Sequence, residues 1–423
     1  MSMNELSLDE YRSQARAWCE TNLPRKSATF GVRDERDNAL ANLESDRALR
    51  RKVYEAGYVG ITVPVEYGGQ GLTHHHEQIW NQESAEYAVP MPGGVATNVT
   101  IGIVVPTLLA HGTEEQKKEW LPKILSSDEI WVQLLSEPGA GSDLAGVLTK
   151  AEKDGESWVI TGSKVWSSGA LCANYGILLA RTDWDAAKHS GLTWFKVPLK
   201  DPKVTVRAIR EINGSEEFCE EFIDELVIPD GCRIGGLNDG WTVANSILAF
   251  ERGAGGLGIP AKKVGRQPLV PDLVDLARAH GTLLDGGVRQ LIAKAAADDY
   301  VYEKLTERMS IAMAKNLMNP IAASYIKLAR GVLEPQRVNI AMEIAGHRGI
   351  AWKADDDEAR VASTNFLNGR IWAIAGGSNQ IQRNIISERL LGLPREPGYD
   401  TGKPFRQVLE DAKNWGAKGA PKS

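Results

Sequence analysis

Cysteine is scarce in this sequence, and its spacing argues against two kinds of site. Only Cys19, Cys172, Cys219 and Cys232 occur among the 423 residues. No two of them form a Cys-x-x-Cys pair, so neither a structural zinc site nor a disulfide framework is predicted. We expect four free thiols, as in proteins of a reducing compartment.

Long apolar runs are also missing. The N-terminal sequence MSMNELSLDEYRSQARAWCE has no basic start followed by an apolar run, so no secretory signal is predicted. The most apolar stretch, 95–110, is interrupted by Asn98, Thr100 and Pro106. It is shorter than the ~20 residues that a membrane-spanning helix needs. We therefore expect a cytoplasmic protein without a membrane span.

Positive charge shows no excess. Lysine and arginine number 49 against 55 aspartates and glutamates, a formal net charge of −6. This balance argues against a broad nucleic-acid-binding surface, although it leaves room for a local basic pocket that binds a phosphate-bearing ligand. With 43% hydrophobic and 25% charged residues, the composition is that of a globular protein. The chain is long enough for two or three domains of ~100–200 residues each.

No metal site is indicated. His74, His75 and His76 are consecutive, but no cysteine or paired acidic cluster accompanies them. Because metal sites draw on such additional ligands, we expect these three histidines to lie in a solvated loop.

The first third of the chain has helical periodicity. Tyr11, Ala15 and Trp18 recur at the spacing of one helix face. Further on, Thr113 precedes two glutamates and a lysine pair, a pattern typical of an N-cap residue.

The pattern then changes to β and back to helix. Between about 130 and 234, short apolar runs alternate with turn residues, and Asp154-Gly155 is a hairpin signal. Helical periodicity returns after Trp241, with an irregular joint at 259–285, and we expect the tail after Pro394 to fray. The sequence therefore predicts an α+β fold with a helical N-terminal domain (1–129), a central β domain (130–236), a C-terminal helical bundle (237–395) and a tail (396–423).

One glycine-rich segment has the character of an anion-binding loop. Ser136-Glu137-Pro138-Gly139-Ala140-Gly141-Ser142-Asp143 places three small residues within four positions, so its backbone can approach a ligand closely. Ser142 adds a hydroxyl and a backbone N–H that could bind a pyrophosphate. By itself such a segment could equally be a tight turn at a domain boundary.

The order of several motifs is more specific than any one of them. They are PVEYGG (64–69), HGTEEQK (111–117), LP (121–122), SEPGAGSD (136–143), GSKVW (162–166), ART (180–182) and GSNQIQR (377–383). This set resembles the acyl-CoA dehydrogenase family over about 57–394. The resemblance implies a helical domain, a β barrel-like domain and a C-terminal four-helix bundle, with FAD between the last two at a subunit interface.

The same resemblance implies which residues hold the flavin. They are Gln133, Leu135, Ser136, Gly141, Ser142, Trp166, Ser168, Ser378 and Gln380. Ser136 would lie near flavin N5, while Ser142 would serve both the pyrophosphate and the CoA substrate. Trp166 and Ser168 would pack on and bond to the isoalloxazine ring. The alternative for Trp166 is an ordinary core aromatic, the usual position of large aromatic side chains.

The chemistry implied by the family needs a carboxylate base. This base removes the α-proton of a CoA thioester, while hydrogen-bond donors stabilise the developing enolate oxygen. Many family members carry the glutamate immediately before the late Gly-Thr motif, but here that position is Gly376. A subset carries it on an earlier helix, where Glu251 stands in this chain.

We therefore interpret Glu251 as the base. An apolar run precedes it and would partly desolvate its carboxylate. The backbone N–H of Gly376, with a flavin ribityl hydroxyl, would bind the thioester oxygen. The alternative for Glu251 is a surface ion pair with a neighbouring arginine. Arg252 resembles a family arginine at the CoA end of the site, and a structural ion pair is the competing interpretation.

The adenine half of the cofactor site departs from the family pattern. Glu343 stands where glutamine is usual, and His347 stands where a second glycine is usual. The Arg…Phe-Gly cofactor motif is not recognisable in the modified segment 259–285.

The resemblance implies an FAD-dependent dehydrogenase that converts an acyl-CoA to the trans-2-enoyl-CoA in fatty acid or sterol degradation. The resemblance also implies that the enzyme passes electrons to an electron-transfer flavoprotein and forms a homodimer, a homotetramer or a hetero-oligomer. Two alternatives stay open. One is a related flavin oxidase or monooxygenase on the same fold. The other is a non-catalytic subunit of a hetero-oligomeric acyl-CoA dehydrogenase, because glycine at position 376 replaces the usual glutamate.

Overall fold

The computed structural model describes residues 6–26, 39–251, 269–315, 317–351, 357–395 and 397–417. The helices before the sheet are α1 (Leu8–Asn22), α2 (Leu43–Glu55), α3 (His74–Glu83), α4 (Val95–Val99), α5 (Val105–His111) and α6 (Glu114–Leu125). The strands are β1 (Trp131–Leu134), β2 (Lys150–Asp154), β3 (Ser157–Ser168), β4 (Tyr175–Arg181), β5 (Leu192–Pro198), β6 (Val204–Ala208), β7 (Phe218–Pro229) and β8 (Arg233–Ile234). The later helices are α7 (Gly240–Ala249), α8 (Leu269–Ala279), α9 (Gly286–Ala314), α10 (Ala323–Ala345), α11 (Asp357–Asn368), α12 (Asn379–Ile385) and α13 (Phe405–Ala417). This order confirms the predicted α+β fold class.

Local sequence signals begin two of the N-terminal helices. Ser7 and Glu10 form a capping box at the start of α1, and Thr113 and Gln116 form another at the start of α6. The predicted N-cap role of Thr113 is therefore confirmed. Gln116 also donates through Nε2 to the carbonyls of Gly231 and Arg233, at 2.9 and 2.7 Å, and so ties α6 to the β domain.

Buried apolar side chains form three clusters. The first joins the N-terminal helices to the sheet and α7, and α1 contributes Tyr11, Ala15 and Cys19 to it. The second lies mainly in the β domain and includes Ala96 of α4. The third lies in the C-terminal bundle, where Leu273 of α8 packs with Ile340 of α10. The apolar clusters hold the helices and the sheet in place, and the first of them extends across all three predicted regions.

The strands form one sheet in the order β6-β7-β3-β2-β4-β5-β8, and β1 pairs in parallel with β4. Among the described residues the two end strands do not pair with each other, so this barrel-like sheet is open. The predicted hairpin is present: β2 and β3 are antiparallel, with Asp154 opposite Ser157 and Gly155 at a φ of +54°. The pairing of β3 with β7 is irregular between Val165 and Ser167, which bears on the site below.

Two expectations about individual segments are wrong. The three histidines form the first turn of α3 and not a loop, and α8 lies within the segment expected to be an irregular joint.

The tail does not fray directly after Pro394. Phe405, at the start of α13, is only 2% exposed and donates its N–H to the carbonyl of Ala186 at 2.9 Å. The guanidinium carbon of Arg181 lies 3.7 Å from the Phe405 ring centroid, a cation–π contact that anchors the tail to the β domain.

Across the described ranges, no helix has both the length and the apolar character needed to cross a membrane.

Candidate active site

The structure brings the predicted flavin residues of β1 beside those of β3. Gln133 lies opposite Ile177 within the β1–β4 pair. Beyond the end of β1, the carbonyl of Leu135 accepts a hydrogen bond from Nζ of Lys164 at 3.0 Å. The carbonyl of Ser136 accepts one from the N–H of Val165 at 2.9 Å. The segment 133–136 is therefore fixed against the strand that carries Trp166 and Ser168.

A buried ion pair reinforces this arrangement. Lys164 Nζ lies 2.9 Å from Glu137 Oε1, and both side chains are almost completely shielded from solvent. The Glu137 carboxylate also accepts from the N–H groups of Leu148 and Thr149, at 2.6 and 2.9 Å. Burial alone would raise the pKa of Glu137, but the charge of Lys164 and these donors hold it below its ordinary value.

Trp166 has an unusual backbone and an exposed side chain. It lies in the β3–β7 irregularity with a φ of +68°, a left-handed conformation that is costly for a bulky residue. Its side chain is 57% exposed, and the ring of Phe218 contacts it edge-on at a centroid distance of 5.9 Å. Trp166 is therefore not a core aromatic. Its indole face is available to a flat ligand.

Ser167 and Ser168 follow Trp166 at the end of β3. Ser168 pairs with Phe218 at the end of the β3–β7 ladder. Ser167 is buried and donates its hydroxyl to Glu221 Oε2 at 2.8 Å. Burial raises the pKa of Glu221 to about 8, against the opposing effects of the Ser167 hydroxyl and the Lys164 charge. The buried hydrogen bond holds the backbone on one side of the Trp166 bulge.

The glycine-rich loop is open to solvent. Gly141 and Ser142 are both exposed, and a Cβ atom built on Gly139 or Gly141 would meet no atom within 4 Å. The loop is held from one side, because Asp143 accepts from Lys188 Nζ at 2.7 Å. Lys188 also donates to Asp400 at 2.9 Å, so the tail supports the same loop. Such an open backbone can receive an anionic group.

A second group of residues surrounds Gly376. A Cβ atom built there would lie 3.2 Å from Lys327 Cε, 3.4 Å from Glu251 Oε1 and 3.9 Å from Glu251 Cδ. Gly376 has a φ of +66°, which favours glycine. The Glu251 carboxylate therefore reaches the place from which a side chain at position 376 would start.

Glu251 itself stands at the end of a helix. The turn after α7 continues through Glu251, which is exposed, whereas Ile247 one turn earlier is completely buried. The expected partial desolvation of the carboxylate by its own helix is therefore not found, because the helix buries Ile247 and leaves its end exposed.

The backbone around Gly376 is held by α12. Gln382, which is fully buried, donates through Nε2 to the carbonyls of Gly376 and Gly377, at 3.1 and 3.4 Å. Ser378 is the N-cap of α12, and its hydroxyl accepts from the N–H of Ile381 at 3.3 Å. Gln380 is exposed on the same helix. These bonds leave the N–H of Gly376 on a turn whose carbonyls are fixed.

Two long-range hydrogen bonds are among the contacts between the β domain and the bundle. Trp194 of β5 donates through Nε1 to the carbonyl of Gly240, at the start of α7, at 2.8 Å. Asn213, between β6 and β7, donates through Nδ2 to Oδ1 of Asn368 in α11 at 2.5 Å. Arg252 lies outside the described residues.

The two residues that depart from the family pattern in the adenine half of the cofactor site lie at and after the end of α10. Glu343 lies near the end of α10, and His347 lies in the short 3₁₀ turn Gly346–Gly349 that follows it. No group of three or more His, Cys, Asp or Glu side chains within the described ranges could hold a metal ion.

Several residues of these groups were missed from the sequence. Lys164 and Glu137 belong to the quoted motifs, and for Lys164 a charged side chain inside an apolar strand was the available signal. No local signal marked Lys327, Glu221 or Gln382. Lys327 and Glu221 contact residues that are distant in the chain, and Gln382 bonds to a turn whose shape depends on the fold.

Comparison with known proteins covers most of the chain. Residues 7–128 match "Acyl-CoA dehydrogenase, N-terminal domain", residues 133–224 match "Acyl-CoA dehydrogenase, middle domain", and residues 238–391 match "Acyl-CoA dehydrogenase, C-terminal domain". The chain is 35% identical over 393 residues to the acyl-CoA dehydrogenase IpdE1 of Mycobacterium tuberculosis (strain ATCC 25618 / H37Rv), covering 92% of this chain and 98% of that protein.

Two solved structures share the architecture. The "Tcur3481-Tcur3483 steroid ACAD" superimposes with a TM-score of 0.73 at 29% identity, covering 92% of this chain and 98% of that one. The ChsE4-ChsE5 complex from Mycobacterium tuberculosis gives a TM-score of 0.71 at 26% identity, covering 94% of this chain and 100% of that one.

Proposed function

Since this chain belongs to the acyl-CoA dehydrogenase family, a family of oxidoreductases, we propose that it catalyses FAD-dependent α,β-dehydrogenation of an acyl-CoA thioester with Glu251 as the base. One observation carries the assignment of the base. The Glu251 carboxylate lies 3.4 Å from the Cβ position of Gly376, where many family members carry their glutamate. The carboxylate therefore reaches the same place from a different helix.

The residues of the β domain fit a flavin dinucleotide. Trp166 offers an exposed indole face at a strained backbone position, and the loop at Gly141 and Ser142 is open for a pyrophosphate. Gln133, Leu135, Ser136 and Ser168 would complete the contacts with the ring, and Ser378 and Gln380 would approach from α12. FAD bound there supplies the acceptor for the hydride that leaves the β-carbon.

The chain's own residues carry the other half of the reaction. Glu251 takes the proton from the α-carbon, and the electron pair of that C–H bond forms the new double bond as the β-hydride departs. The N–H of Gly376 donates to the thioester oxygen and stabilises the charge that develops there. Gln382 keeps this donor in place because it fixes the Gly376 and Gly377 carbonyls. Ser142 and Arg252 are the candidates for binding the CoA portion.

The names of the relatives support a proposal for the substrate class. The IpdE1 protein is a named acyl-CoA dehydrogenase, and one matched structure is described as a steroid ACAD. We therefore expect a CoA thioester with a bulky acyl group, such as a sterol degradation product. An electron-transfer flavoprotein would be the electron acceptor.

Anaerobic mixing tests the reaction directly. The flavin-loaded protein is mixed with a panel of straight-chain, branched and steroid-derived acyl-CoA thioesters, and loss of the flavin's long-wavelength absorbance is followed. Glu251→Gln should retain its flavin and lose bleaching by at least ~100-fold, the usual range for a general base. Glu307→Gln is the matched control, because Glu307 is a helical glutamate that pairs with Lys304 at the surface of α9.

Two results would contradict the proposal. If Glu251→Gln bleaches as fast as the parent, Glu251 is not the base. If oxygen reoxidises the reduced flavin rapidly, in preference to an electron-transfer flavoprotein, the chain is the oxidase or monooxygenase alternative.

A hetero-oligomeric subunit is the second candidate. It is supported by the matched ChsE4-ChsE5 structure, which is a complex of two different chains, and by glycine at position 376. In that case the chain purified alone would bind flavin poorly or fail to bleach, and co-expression with a related chain would restore both. Full flavin occupancy and bleaching by the chain alone would exclude it.

A further inference from the structure

The helix α10 forms a seat for the segment that carries Gly376. Lys327 donates through Nζ to the carbonyl of Trp372 at 2.8 Å. One turn later, the guanidinium of Arg330 lies 3.5 Å from the centroid of the Trp372 ring. Asn379 Nδ2 donates to the carbonyl of Gly331 at 3.0 Å. Three consecutive contacts therefore fix the 372–379 segment on one face of α10.

Lys327 also lies beside the candidate base. The three heavy atoms nearest to the Cβ position of Gly376 are Lys327 Cε, at 3.2 Å, and Oε1 and Cδ of Glu251, at 3.4 and 3.9 Å. Both side chains therefore approach the same point beside Gly376. An ammonium within roughly 4–6 Å of a carboxylate favours its ionised form.

In the described parts of the neighbouring elements, Arg330 and His111 have contacts of their own. The span of α7, Gly240–Ala249, and the segment 374–378 contain no ionisable side chain. Within the described part of α10, Arg330 contacts the Trp372 ring and lies 3.9 Å from Glu334. His111 of α5 bonds to Ser246 at 2.8 Å, more than a turn before Glu251.

We propose that Lys327 is a positioning residue for the base: its ammonium, anchored on the Trp372 carbonyl, holds the Glu251 carboxylate ionised and directed at the Gly376 turn. The inference rests on the proposed function, since it concerns the residue that removes the α-proton. Because Lys327 reaches Glu251 from a different helix, it also joins α10 to the end of α7.

Two variants separate the charge of Lys327 from its hydrogen bond. Lys327→Gln can still donate to the Trp372 carbonyl but has no charge, whereas Lys327→Arg keeps the charge. The rate of anaerobic flavin bleaching is measured against pH for the flavin-loaded proteins. Lys304→Gln serves as the matched control, because Lys304 pairs with Glu307 on the exposed surface of α9.

For Lys327→Gln we expect the pH of half-maximal bleaching to move up by about one unit or more, with a plateau at high pH within a few-fold of the parent. Lys327→Arg should restore the parent profile, and Lys304→Gln should leave it unchanged. A purely structural lysine would instead lower flavin content and melting temperature in Lys327→Gln while the pH of half-maximal bleaching stayed in place. That result would overturn the inference.

An infrared titration gives a readout that is independent of turnover. The difference spectrum between the parent and Glu251→Gln identifies the Glu251 carboxylate band, and Lys327→Gln should lose that band at a higher pH than the parent. An unmoved band contradicts the inference even if the variant binds flavin weakly. If Glu251→Gln stops bleaching while Lys327→Gln keeps the parent profile, the proposed function stands and only the role of Lys327 fails.

Discussion

Glu251 and Gly376 are 125 positions apart in the chain, yet Oε1 of Glu251 lies 3.4 Å from the point where a side chain at position 376 would begin. In this chain the Glu251 carboxylate and Lys327 leave little space for a side chain at position 376. Any side chain there would compete for space with the carboxylate and with Lys327. The relationship also offers a direct test of how strictly the carboxylate must be placed.

Gly376→Ala should separate placement of the base from backbone strain. The new methyl group would lie 3.2 Å from Lys327 Cε and 3.4 Å from Glu251 Oε1, at a φ of +66°. We expect the bleaching rate to fall at least ~tenfold, because small displacements of reacting groups have large effects on rate. Stability should fall by ~1–2 kcal/mol from the left-handed backbone.

Gly281→Ala is the control for that change. Gly281 has a φ of +69°, but a Cβ atom there would meet no atom within 4 Å. Gly281→Ala should lose the same amount of stability as Gly376→Ala, but its flavin should bleach at the rate of the parent protein. Equal bleaching by Gly376→Ala and Gly281→Ala would show that the space beside Glu251 is not needed.

Glu221 should make stability depend on pH. Burial raises its folded-state pKa to about 8, so between the ordinary glutamate pKa and about 8 the folded state holds a proton that the unfolded state has released. The free energy of unfolding therefore falls as pH rises through this window, by on the order of 3–5 kcal/mol in total. Glu221→Gln stays neutral and removes this loss.

The measurement is the apparent melting temperature of parent and variant at pH 5 and pH 9. Glu221→Gln should match the parent at pH 5 and melt at a higher temperature at pH 9. Glu220→Gln, on the opposite face of the same strand, is the control and should follow the parent at both values. An equal difference between Glu221→Gln and the parent at the two pH values would contradict the prediction.

Lys164→Met should be strongly destabilising. It leaves the Glu137 carboxylate buried without its cation, which costs ~3–5 kcal/mol in comparable pairs. The double variant Lys164→Met/Glu137→Gln should lose less than the sum of the two single changes, because it removes the uncompensated charge. Denaturant unfolding and flavin retention measure both effects.

Lys150→Met provides the comparison for that pair. Lys150 also forms a salt bridge with a glutamate, Glu152, at 2.8 Å, but both side chains are exposed. We expect a change of ~1 kcal/mol or less. If Lys164→Met loses as little stability as Lys150→Met, the buried pair does not hold the 135–137 segment.

Trp166→Gly should weaken flavin binding while it leaves stability nearly unchanged. Relief of the left-handed backbone, worth ~1–2 kcal/mol, offsets the extra freedom of glycine in the unfolded chain. The affinity for FAD should fall at least ~tenfold, as measured by fluorescence titration of the apoprotein, because the exposed indole surface is lost.

Glu225→Gly is the matched control, since Glu225 has a φ of +54° and is exposed on β7. It should relieve similar strain and bind FAD like the parent. Unchanged FAD affinity in Trp166→Gly would remove Trp166 from the proposed cofactor site.

Features that depend on a few neighbouring residues were predictable. The N-cap at Thr113 and the hairpin at Asp154-Gly155 are present because a cap or a tight turn is decided by side chains within three or four positions. The α+β order likewise follows from the period of the apolar residues. Glu251 and Trp166 were singled out only through the resemblance to a known family, Trp166 by its motif and Glu251 by its position on an earlier helix.

Long-range contacts were not predictable. Three contacts join residues from separate parts of the chain. They are the cation–π contact between Arg181 and Phe405, the hydrogen bond from Lys327 to the Trp372 carbonyl and the Ser167–Glu221 hydrogen bond. Nothing in the residues next to each of these side chains indicates its distant partner. Their partners are set by how whole helices and strands pack.

By itself the sequence determined the order of helices and strands, their caps and turns, and the residue types available for chemistry, because these depend on local spacing. Only the tertiary structure decided that the Glu251 carboxylate reaches the Gly376 turn beside Lys327, and that a bulge exposes Trp166. The physical reason is that burial, charge pairing and backbone strain arise when distant segments are brought into contact.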